Sequence, residues 1–338
     1  MELKRIAIDT SKSVFTLHGI DAADRAILRR ELHRGQVETF FSKLPPTEVV
    51  LEACGASHHW GRVLTRLGHA VRLIPPQYVK PYVKRGKNDR LDAEAICEAA
   101  GRPGMRFVPV KDAESQAEAM LLSCRELIVR QQTQASNALR GHASEFGVVA
   151  AKGITKVDGL RSHIMASDMP EAAKETLAMY GEHLDDLSAR LEEIDERLRE
   201  MHKSNEASQR LAAVPGIGPI TALTLALGVD AARFEDGRHF AAWLGLTPRE
   251  HSTGGKTRLG GISRAGNERL RQLLVVGAMA VIRHAKPGGK NSTAWLLDLL
   301  ARKPRKVAAV ALANKMARIA WAMMSRGQAY RRPVVAAG

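Results

Sequence analysis

The sequence predicts an α/β domain followed by all-α domains, with boundaries at 1–112, 113–208 and 209–330 of its 338 residues. Three observations predict this division. Short apolar runs separated by turn residues fill the first 74 positions, an apolar heptad pattern follows at 177–201, and apolar helices bounded by Pro and Gly come last. Hydrophobic residues make up 45% and charged residues 26%, which indicates folded rather than disordered domains.

The first domain is predicted to be a mixed sheet with helices on its faces. Its first three strands are separated only by short polar turns, which is typical of hairpins. The later strands alternate with helices, and the fourth strand is expected beside the first. The expected strands are 3–9, 13–20, 25–32, 48–52 and 69–74, and the expected helices are 36–44, 57–67 and 90–100.

Four acids stand at the ends of these elements. Asp9 ends the first strand, Glu52 ends the fourth, and Asp89 and Asp92 share one face at the start of the last helix. Each acid has an ordinary alternative, since Asp89 could be an N-cap, Asp92 a helix-dipole partner and a strand-end carboxylate a loop residue. Four acids that can converge at one sheet edge instead predict a Mg²⁺ or Mn²⁺ site, in which two ions could clamp a phosphodiester.

The segments that carry these acids resemble a known family. Residues 8–12, 51–53 and 88–93 are similar to the Asp-Glu-Asp-Asp motifs of insertion-sequence transposases of the family numbered 110, which includes the Piv DNA invertase. Cys54 departs from the Thr expected there. The resemblance implies a RuvC-like domain with the ribonuclease H fold. It also implies that all four acids are metal-binding catalytic residues.

The middle segment carries a regular apolar seam. An a/d heptad pattern predicts a coiled coil, and an upstream helix over about 114–146 offers a weaker seam. The region 153–170 is expected to connect the two helices. The seam could pack within one chain as a helical hairpin, could form a dimer or tetramer contact, or both. Its members are Leu177, Tyr180, Leu184, Leu187, Leu191, Ile194, Leu198 and Met201.

Basic charge is concentrated in the last third of the chain. The whole chain has 51 Lys and Arg against 36 Asp and Glu, a formal net charge of +15. Residues 1–112 have 19 basic and 13 acidic side chains, 113–210 have 12 and 17, and 211–338 have 20 and 6. A solvated basic surface is the ordinary interpretation. The excess of 14 basic over acidic side chains in the 128 residues 211–338 favours a polyanion partner, most simply nucleic acid.

Two segments of the third domain have features suited to binding phosphate. The turn at Gly216 and Gly218, followed by an apolar helix, resembles a helix-hairpin-helix element, although a tight turn between buried helices is the alternative. Residues 249–261 form a Gly-rich basic loop, for which a flexible surface loop is the alternative. A helix with Ser263 as its N-cap is expected next, and helices at 292–302 and 305–326 end the domain. The predicted phosphate-binding cations are Lys256, Arg258, Arg264, Arg269 and Arg271.

This last domain extends the resemblance to most of the chain. Residues 244–248, 252–255 and 262–267 look like the transposase domain of the same family, in which a Ser attacks DNA. The spacing to Arg264 matches Ser252 to that nucleophile, and counting from the Leu-Thr-Pro motif would give Thr253 instead. The resemblance implies a recombinase for donor and target DNA, guided by a structured noncoding bridge RNA. A homodimer or homotetramer is expected.

Several classes of protein are excluded or disfavoured. Three widely spaced Cys without a C-x-x-C motif exclude a disulfide scaffold and a Cys-rich zinc site. No uninterrupted apolar run approaches the ~20 residues of a membrane span, so a cytoplasmic, nucleoid-associated protein without a membrane partner is expected. Two rival functions stay open: a RuvC-like junction nuclease that uses water, and a non-catalytic nucleic-acid-binding remnant. The presence of all four acids disfavours the remnant.

Overall fold

A five-stranded sheet organises the N-terminal unit, Met1–Ala117. The computed structural model describes residues 2–84, 88–289 and 292–331. Two short helices interrupt the strands, a one-turn helix α3 (Pro76–Val79) follows the last strand, and α4 (Asp89–Ala100) covers one face. The strands are β1 (Arg5–Thr10), β2 (Val14–Ile20), β3 (Ala26–His33), β4 (Glu48–Glu52) and β5 (Ala70–Ile74), and the interrupting helices are α1 (Val37–Phe41) and α2 (Ser57–Arg66).

The strand order is β3-β2-β1-β4-β5. The first three strands pair antiparallel, and β4 pairs parallel with both β1 and β5. The predicted mixed sheet is therefore confirmed, as is the position of the fourth strand beside the first. Since β1 and β4 run parallel, their carboxyl ends meet at the same edge of the sheet.

Helix α4 lies close to the sheet because its buried face is made of small residues. Ala95 and Ile96 pack on Ala7 and Val50, which the strands present on that face. Arg5, only 8% exposed, ties the helix to the sheet: its Nε donates to Glu48 Oε2 at 2.6 Å and its Nη1 to the Cys97 carbonyl at 3.4 Å. These contacts lie at the start of β1 and in the second half of α4, so the first turn of α4 is directed towards the end of β1.

The C-terminal unit, Glu118–Gly338, contains a helical hairpin. Helix α5 (Ala113–Glu145) and helix α7 (Glu171–Ser204) face each other, and α6 (Val157–Met165) lies in the region expected to be only a connection. Arg125 forms a two-point ion pair with Asp195 across the hairpin. The seam packs inside this unit, mainly against Leu122, Ile128, Ala135, Leu139, Leu160 and Ile164.

The intramolecular interpretation of the seam is therefore confirmed for its buried members. Leu184 is 2% exposed and Leu198 is completely buried. A contact between subunits along the same helices stays a prediction.

The rest of this unit packs around the last helix. The described helices are α8 (Glu206–Ala212), α9 (Pro219–Gly228), α10 (Gly237–Trp243), α11 (Glu268–Arg283), α12 (Ala294–Arg302) and α13 (Arg305–Arg326). Helix α13 alone among the described helices is long and apolar enough to cross a membrane, by length and composition only. Ala313, Ala317 and Ala320 of this helix have no exposed surface and pack in the core with α10 and α11, as expected of a core helix.

The expected start of the helix after the Gly-rich segment was wrong. Helix α11 begins at Glu268, and its N-cap is Asn267, whose side chain accepts from the Leu270 amide. Ser263 instead follows a strand, β7 (Leu259–Ile262). Gly266 with its positive φ stands between Ser263 and the helix, so the chain turns there before the helix can begin.

Candidate functional site

Three of the four predicted acids lie together. Carboxylate oxygens of Asp9, Asp89 and Asp92 lie within 4.8 Å of one another. Asp9 is the next-to-last residue of β1 and is half-buried, and the two other acids occupy the first turn of α4. The N-cap of α4 is Asn88, whose side chain accepts from the Arg90 amide at 3.0 Å. The capping alternative for Asp89 is therefore wrong, and its carboxylate is not used to cap the helix.

Glu52 borders this group without being one of its three members. It is the last residue of β4, and the parallel pairing of Ile8 with Leu51 carries it alongside Asp9. Burial and, secondly, the charge of Asp92 raise the pKa of Glu52. The four acids predicted from the sequence thus influence one another at a single sheet edge.

The surroundings of Asp9 oppose the charged form of its carboxyl group. Burial, followed by the charges of Asp89, Asp92 and Glu52, raises the pKa of Asp9 to about 6. Clustered carboxylates repel one another unless a proton or a cation neutralises them. Several hard oxygen donors within a few ångströms fit a divalent cation such as Mg²⁺ or Mn²⁺, and the residues present therefore suit such an ion.

The predicted Gly-rich loop is a two-stranded hairpin. Strand β6 (Pro248–Glu250) pairs antiparallel with β7, and an isolated bridge joins Thr253 to Lys256 at the tip. Gly254 and Gly255 have φ values of +58° and +76°, and the Lys256 amide donates to the Thr253 carbonyl at 3.1 Å. Two successive positive φ angles define a type I′ turn, for which Gly-Gly is a favoured pair. The expectation of a loop over 249–261 was therefore wrong where β6 and β7 pair as strands.

The two candidate nucleophiles differ in their surroundings. Ser252 is half-buried, and its Oγ accepts a hydrogen bond from the Arg258 amide at 3.1 Å. Thr253 is exposed and takes part in the turn through its backbone. The hydroxyl of Ser252 is therefore held in one place by the opposite side of the hairpin. Which of the two is the nucleophile stays a prediction.

The predicted phosphate-binding cations fall into two groups, the first exposed and the second held by partners within the chain. Lys256 and Arg258 at the tip of the hairpin and Arg264 beyond its base are exposed. Arg271 is 8% exposed, and its Nη1 donates to the carbonyls of Leu244 and Ala265 at 3.0 and 2.8 Å.

Arg269 belongs to the second group. Its side chain is 18% exposed and forms an ion pair with Glu126 at 3.3 Å. Arg269 and Arg271 therefore have intramolecular partners, and DNA contacts by all five cations stay predictions.

The turn at Gly216 and Gly218 faces the core on one side. Gly216 has a φ of +91°, and a Cβ there would lie 3.0 Å from the Gly277 carbonyl and 2.8 Å from Met316 Cε. Close packing of the turn on α11 accounts for this glycine. Gly218 is exposed and is the N-cap of α9, where Pro219 follows without an N–H group. Phosphate binding at this turn stays a prediction.

A basic groove in the C-terminal unit was not predicted from the sequence. The groove has a volume of about 1220 Å³ and is lined by the base of the hairpin, by α13 and by the starts of α10 and α12. Its cations come from three separate segments, so no single window of the sequence reveals them. The sequence offered no signal for it, because Trp295 and these cations come together only in the folded unit.

Comparisons with known proteins match both halves of the chain to transposases. Residues 6–147 match the family DEDD_Tnp_IS110, described as a transposase, and residues 208–293 match the family described as Transposase IS116/IS110/IS902. A Sinorhizobium fredii (strain NBRC 101917 / NGR234) protein named as a transposase, y4pF/y4sB, is 52% identical over 98% of this chain and 86% of its own length.

Two further relatives are named for particular elements. The transposase for insertion sequence element IS1111A of Coxiella burnetii (strain RSA 493 / Nine Mile phase I) is 40% identical over 98% of this chain and 92% of its own length. The transposase for insertion sequence element IS1328 of Yersinia enterocolitica is 37% identical over 97% and 98%.

Proposed function

Because the chain belongs to the IS116/IS110/IS902 family of transposases, enzymes that cut and recombine DNA, we propose that it catalyses metal-dependent DNA strand cleavage and exchange through a serine nucleophile. The observation that carries this proposal is the convergence of Asp9, Asp89 and Asp92 within 4.8 Å. All four family acids are present, which favours an active enzyme over a non-catalytic remnant.

The acids are proposed to hold Mg²⁺ or Mn²⁺. Asp9, Asp89 and Asp92 supply oxygens from two elements, and Glu52 supplies a further carboxylate from β4. A bound divalent ion would supply charge for the developing oxyanion of a phosphodiester. Because the acids project from buried elements, their positions are set before DNA binds.

Ser252 is proposed to attack the DNA phosphate. Its Oγ forms a bond to phosphorus as a deoxyribose oxygen leaves, and the hydroxyl proton passes to a base. The covalent phosphoserine conserves the phosphodiester bond energy, so a second DNA hydroxyl can displace the serine during strand exchange. Lys256 and Arg258 lie on the same hairpin tip and can offset charge on the phosphate. The half-buried position of the Ser252 hydroxyl supports this role over that of the exposed Thr253.

The proposed partners are donor DNA, target DNA and a structured noncoding guide RNA. The net charge of +14 over residues 211–338 supports phosphate binding. Aromatic residues make up only 4% of the chain, so recognition of sequence is assigned to base pairing with the guide rather than to stacking platforms. The proposal also includes a helix-hairpin-helix contact with DNA at Gly218. The chain is proposed to assemble through its coiled-coil helices as a homodimer or homotetramer and to associate with the nucleoid.

Strand cleavage tests the metal site. We expect wild type to cut its element ends with guide RNA and Mg²⁺ and to be inactive in chelator. Asp9→Asn and Asp92→Asn should each lose at least ~10³-fold in rate while DNA binding is kept, since each removes an oxygen ligand. Glu98→Gln is the matched control, because this acid lies on α4 but pairs with Arg102. Cleavage in chelator, or in either Asn variant, would refute the metal site.

A further inference from the structure

The groove of the C-terminal unit combines an apolar floor with a basic rim. Val310, Ile319 and Ala322 of α13 form part of the floor, and Trp295 of α12 borders it with 37% of its surface exposed. Exposed tryptophan beside aliphatic side chains is a costly surface in water unless a ligand covers it. The groove therefore has the character of a binding site rather than of a solvated face.

The charged residues of the lining are almost all basic. Among the lining residues the structure describes, Asp236 is the sole acid, and its carboxylate caps α10 by accepting from the His239 amide at 2.7 Å. The Lys315 ammonium lies 4.2 Å from the centre of the Trp295 ring. Five basic residues line the groove: Arg238, Arg264, Lys306, Lys315 and Arg318. None of these five forms an ion pair within 4 Å with another described residue.

The groove is continuous with the hairpin that carries Ser252. Pro248 and residues 260–262 form one of its walls. Ser252 is four residues beyond Pro248, and at ~3.3 Å per residue it is at most about 13 Å further along the hairpin. A nucleic-acid strand that lies in the groove can therefore continue to the serine within a few nucleotides.

We propose that this groove binds an unpaired DNA strand next to the phosphate that Ser252 attacks. The proposal rests on the proposed function. Unpaired bases can place their faces against the apolar floor and Trp295, while phosphates lie along the basic rim. A duplex would hide its base faces in the stack and leave the floor uncovered.

The lining favours DNA over RNA as the strand. Recognition of RNA depends on hydrogen bonds to the 2′-hydroxyl. Asn314, a polar side chain of this lining, already donates to the Leu246 carbonyl at 3.2 Å. The floor is otherwise aliphatic or aromatic, which suits deoxyribose and the thymine methyl group.

The test measures binding of a 12-nucleotide oligothymidylate to the full chain in chelator, by fluorescence anisotropy at several salt concentrations. The triple variant Arg238→Gln, Lys306→Gln, Arg318→Gln should bind at least tenfold more weakly and show a smaller salt dependence. The control is Lys152→Gln, Lys156→Gln, Lys203→Gln, which removes three exposed cations of the same unit outside the groove. Thermal melting should show that both variants are folded.

Two further measurements locate the strand. An oligonucleotide carrying 5-iododeoxyuridine should cross-link on illumination to Trp295, and the cross-link should disappear with the triple variant. Equal loss of affinity in the two triple variants, or a cross-link elsewhere, would overturn the proposal. Tighter binding of oligouridylate would assign the groove to RNA, and displacement of DNA by an oligoglutamate peptide would assign it to an acidic protein segment. Ser252→Ala should bind normally, so failure of the nucleophile and failure of the groove give different results.

Discussion

The carboxylates of Asp9 and Asp92 project from elements buried in the core of the N-terminal unit, whereas Ser252 stands on a hairpin that is exposed at almost every position. The acids owe their positions to strand pairing, to the small buried face of α4 and to the Arg5 contacts. The serine owes its position to a four-residue turn and one hydrogen bond from the Arg258 amide. One site is set by the whole domain and the other by a few local contacts.

The two sites also carry different kinds of strain. In the N-terminal unit the strain is electrostatic, since like charges are gathered and partly buried around Asp9. In the C-terminal unit it lies in the backbone, since Arg264 beyond the base of the hairpin has a φ of +56°. Left-handed backbone at a residue with a Cβ costs roughly 1–2 kcal/mol. Such costs are common at functional sites.

The largest expected effect concerns the hairpin. Ser252→Ala should abolish the covalent protein–DNA species that wild type forms with metal, guide RNA and both DNAs, a loss of at least ~10³-fold, since the nucleophile is removed. Denaturing gel electrophoresis of labelled DNA measures it. Thr253→Ala is the control and should keep most of the adduct.

The outcomes separate three interpretations of the serine. If the adduct survives in Ser252→Ala and disappears in Thr253→Ala, the neighbouring hydroxyl is the nucleophile. If wild type forms no adduct yet cuts DNA with metal, the acids act through water, as in the junction-nuclease alternative.

The next effect concerns the helical support of the C-terminal unit. Leu184→Lys should lower the free energy of unfolding by about 3–5 kcal/mol, because it places a charge in a packed internal seam. Leu127→Lys is the matched control: this residue of α5 is 50% exposed and should change stability by about 0.5 kcal/mol or less.

Urea unfolding followed by circular dichroism, together with mass in solution, checks this prediction. If Leu184→Lys stays folded and only loses mass, the seam is a subunit contact and the internal packing contributes little. A fall in mass for Leu127→Lys alone would place the subunit contact on the exposed side of α5.

The same contrast explains how much could be predicted from the sequence. The pairing of the fourth strand with the first, and so the meeting of Asp9 with Glu52, follows from strand alternation and from the rule that parallel strands end at one edge, whereas Asp89 and Asp92 arrive there on the first turn of α4. The hairpin at 248–262 could not be recognised as strands, since its Gly-rich segments lack an alternating apolar pattern. Helix α6 is short, and its few apolar residues gain their burial only from α5 and α7.

Tertiary contacts account for the remaining differences between the sequence predictions and the structure. Nothing in its spacing distinguishes Arg271 from an exposed cation of a basic helix. Its guanidinium is nevertheless buried and donates to the Leu244 carbonyl, from a distant segment of the chain, and to the nearby Ala265 carbonyl. The groove was missed for the same reason, because Arg238, Trp295 and Arg318 come together only in the folded unit.

A smaller effect tests the electrostatic strain of the acid cluster. The folded-state pKa of Asp9 is raised to about 6 from an ordinary value near 3.8. Its contribution to stability is therefore present below about pH 3.8 and is lost as pH rises through about 6. In chelator, Asp9→Asn should be more stable than wild type at pH 7.5 by about 1–2 kcal/mol, after allowance for solvent screening, and should differ less at pH 4.5.

Urea titrations in chelator at the two pH values measure this difference. Glu98→Gln should show no comparable gain, because its partner is a cation. An Asn variant that is less stable than wild type at pH 7.5 would mean that hydrogen bonds to the ionised carboxylate outweigh the repulsion.

The smallest effect tests the backbone strain beyond the base of the hairpin. Arg264→Gly should stabilise the chain by about 0.5–1 kcal/mol, because glycine adopts a positive φ without the clash of a Cβ, although it gains entropy in the unfolded state. The same change should weaken oligothymidylate binding, since it removes a cation from the groove rim. Arg264→Ala is the control: it removes the cation but keeps the Cβ, so it should lose affinity equally and gain no stability.

If both variants were equally stable, the left-handed backbone would not be strained. If neither lost affinity, Arg264 would be held in this conformation for a purpose other than contact with the strand.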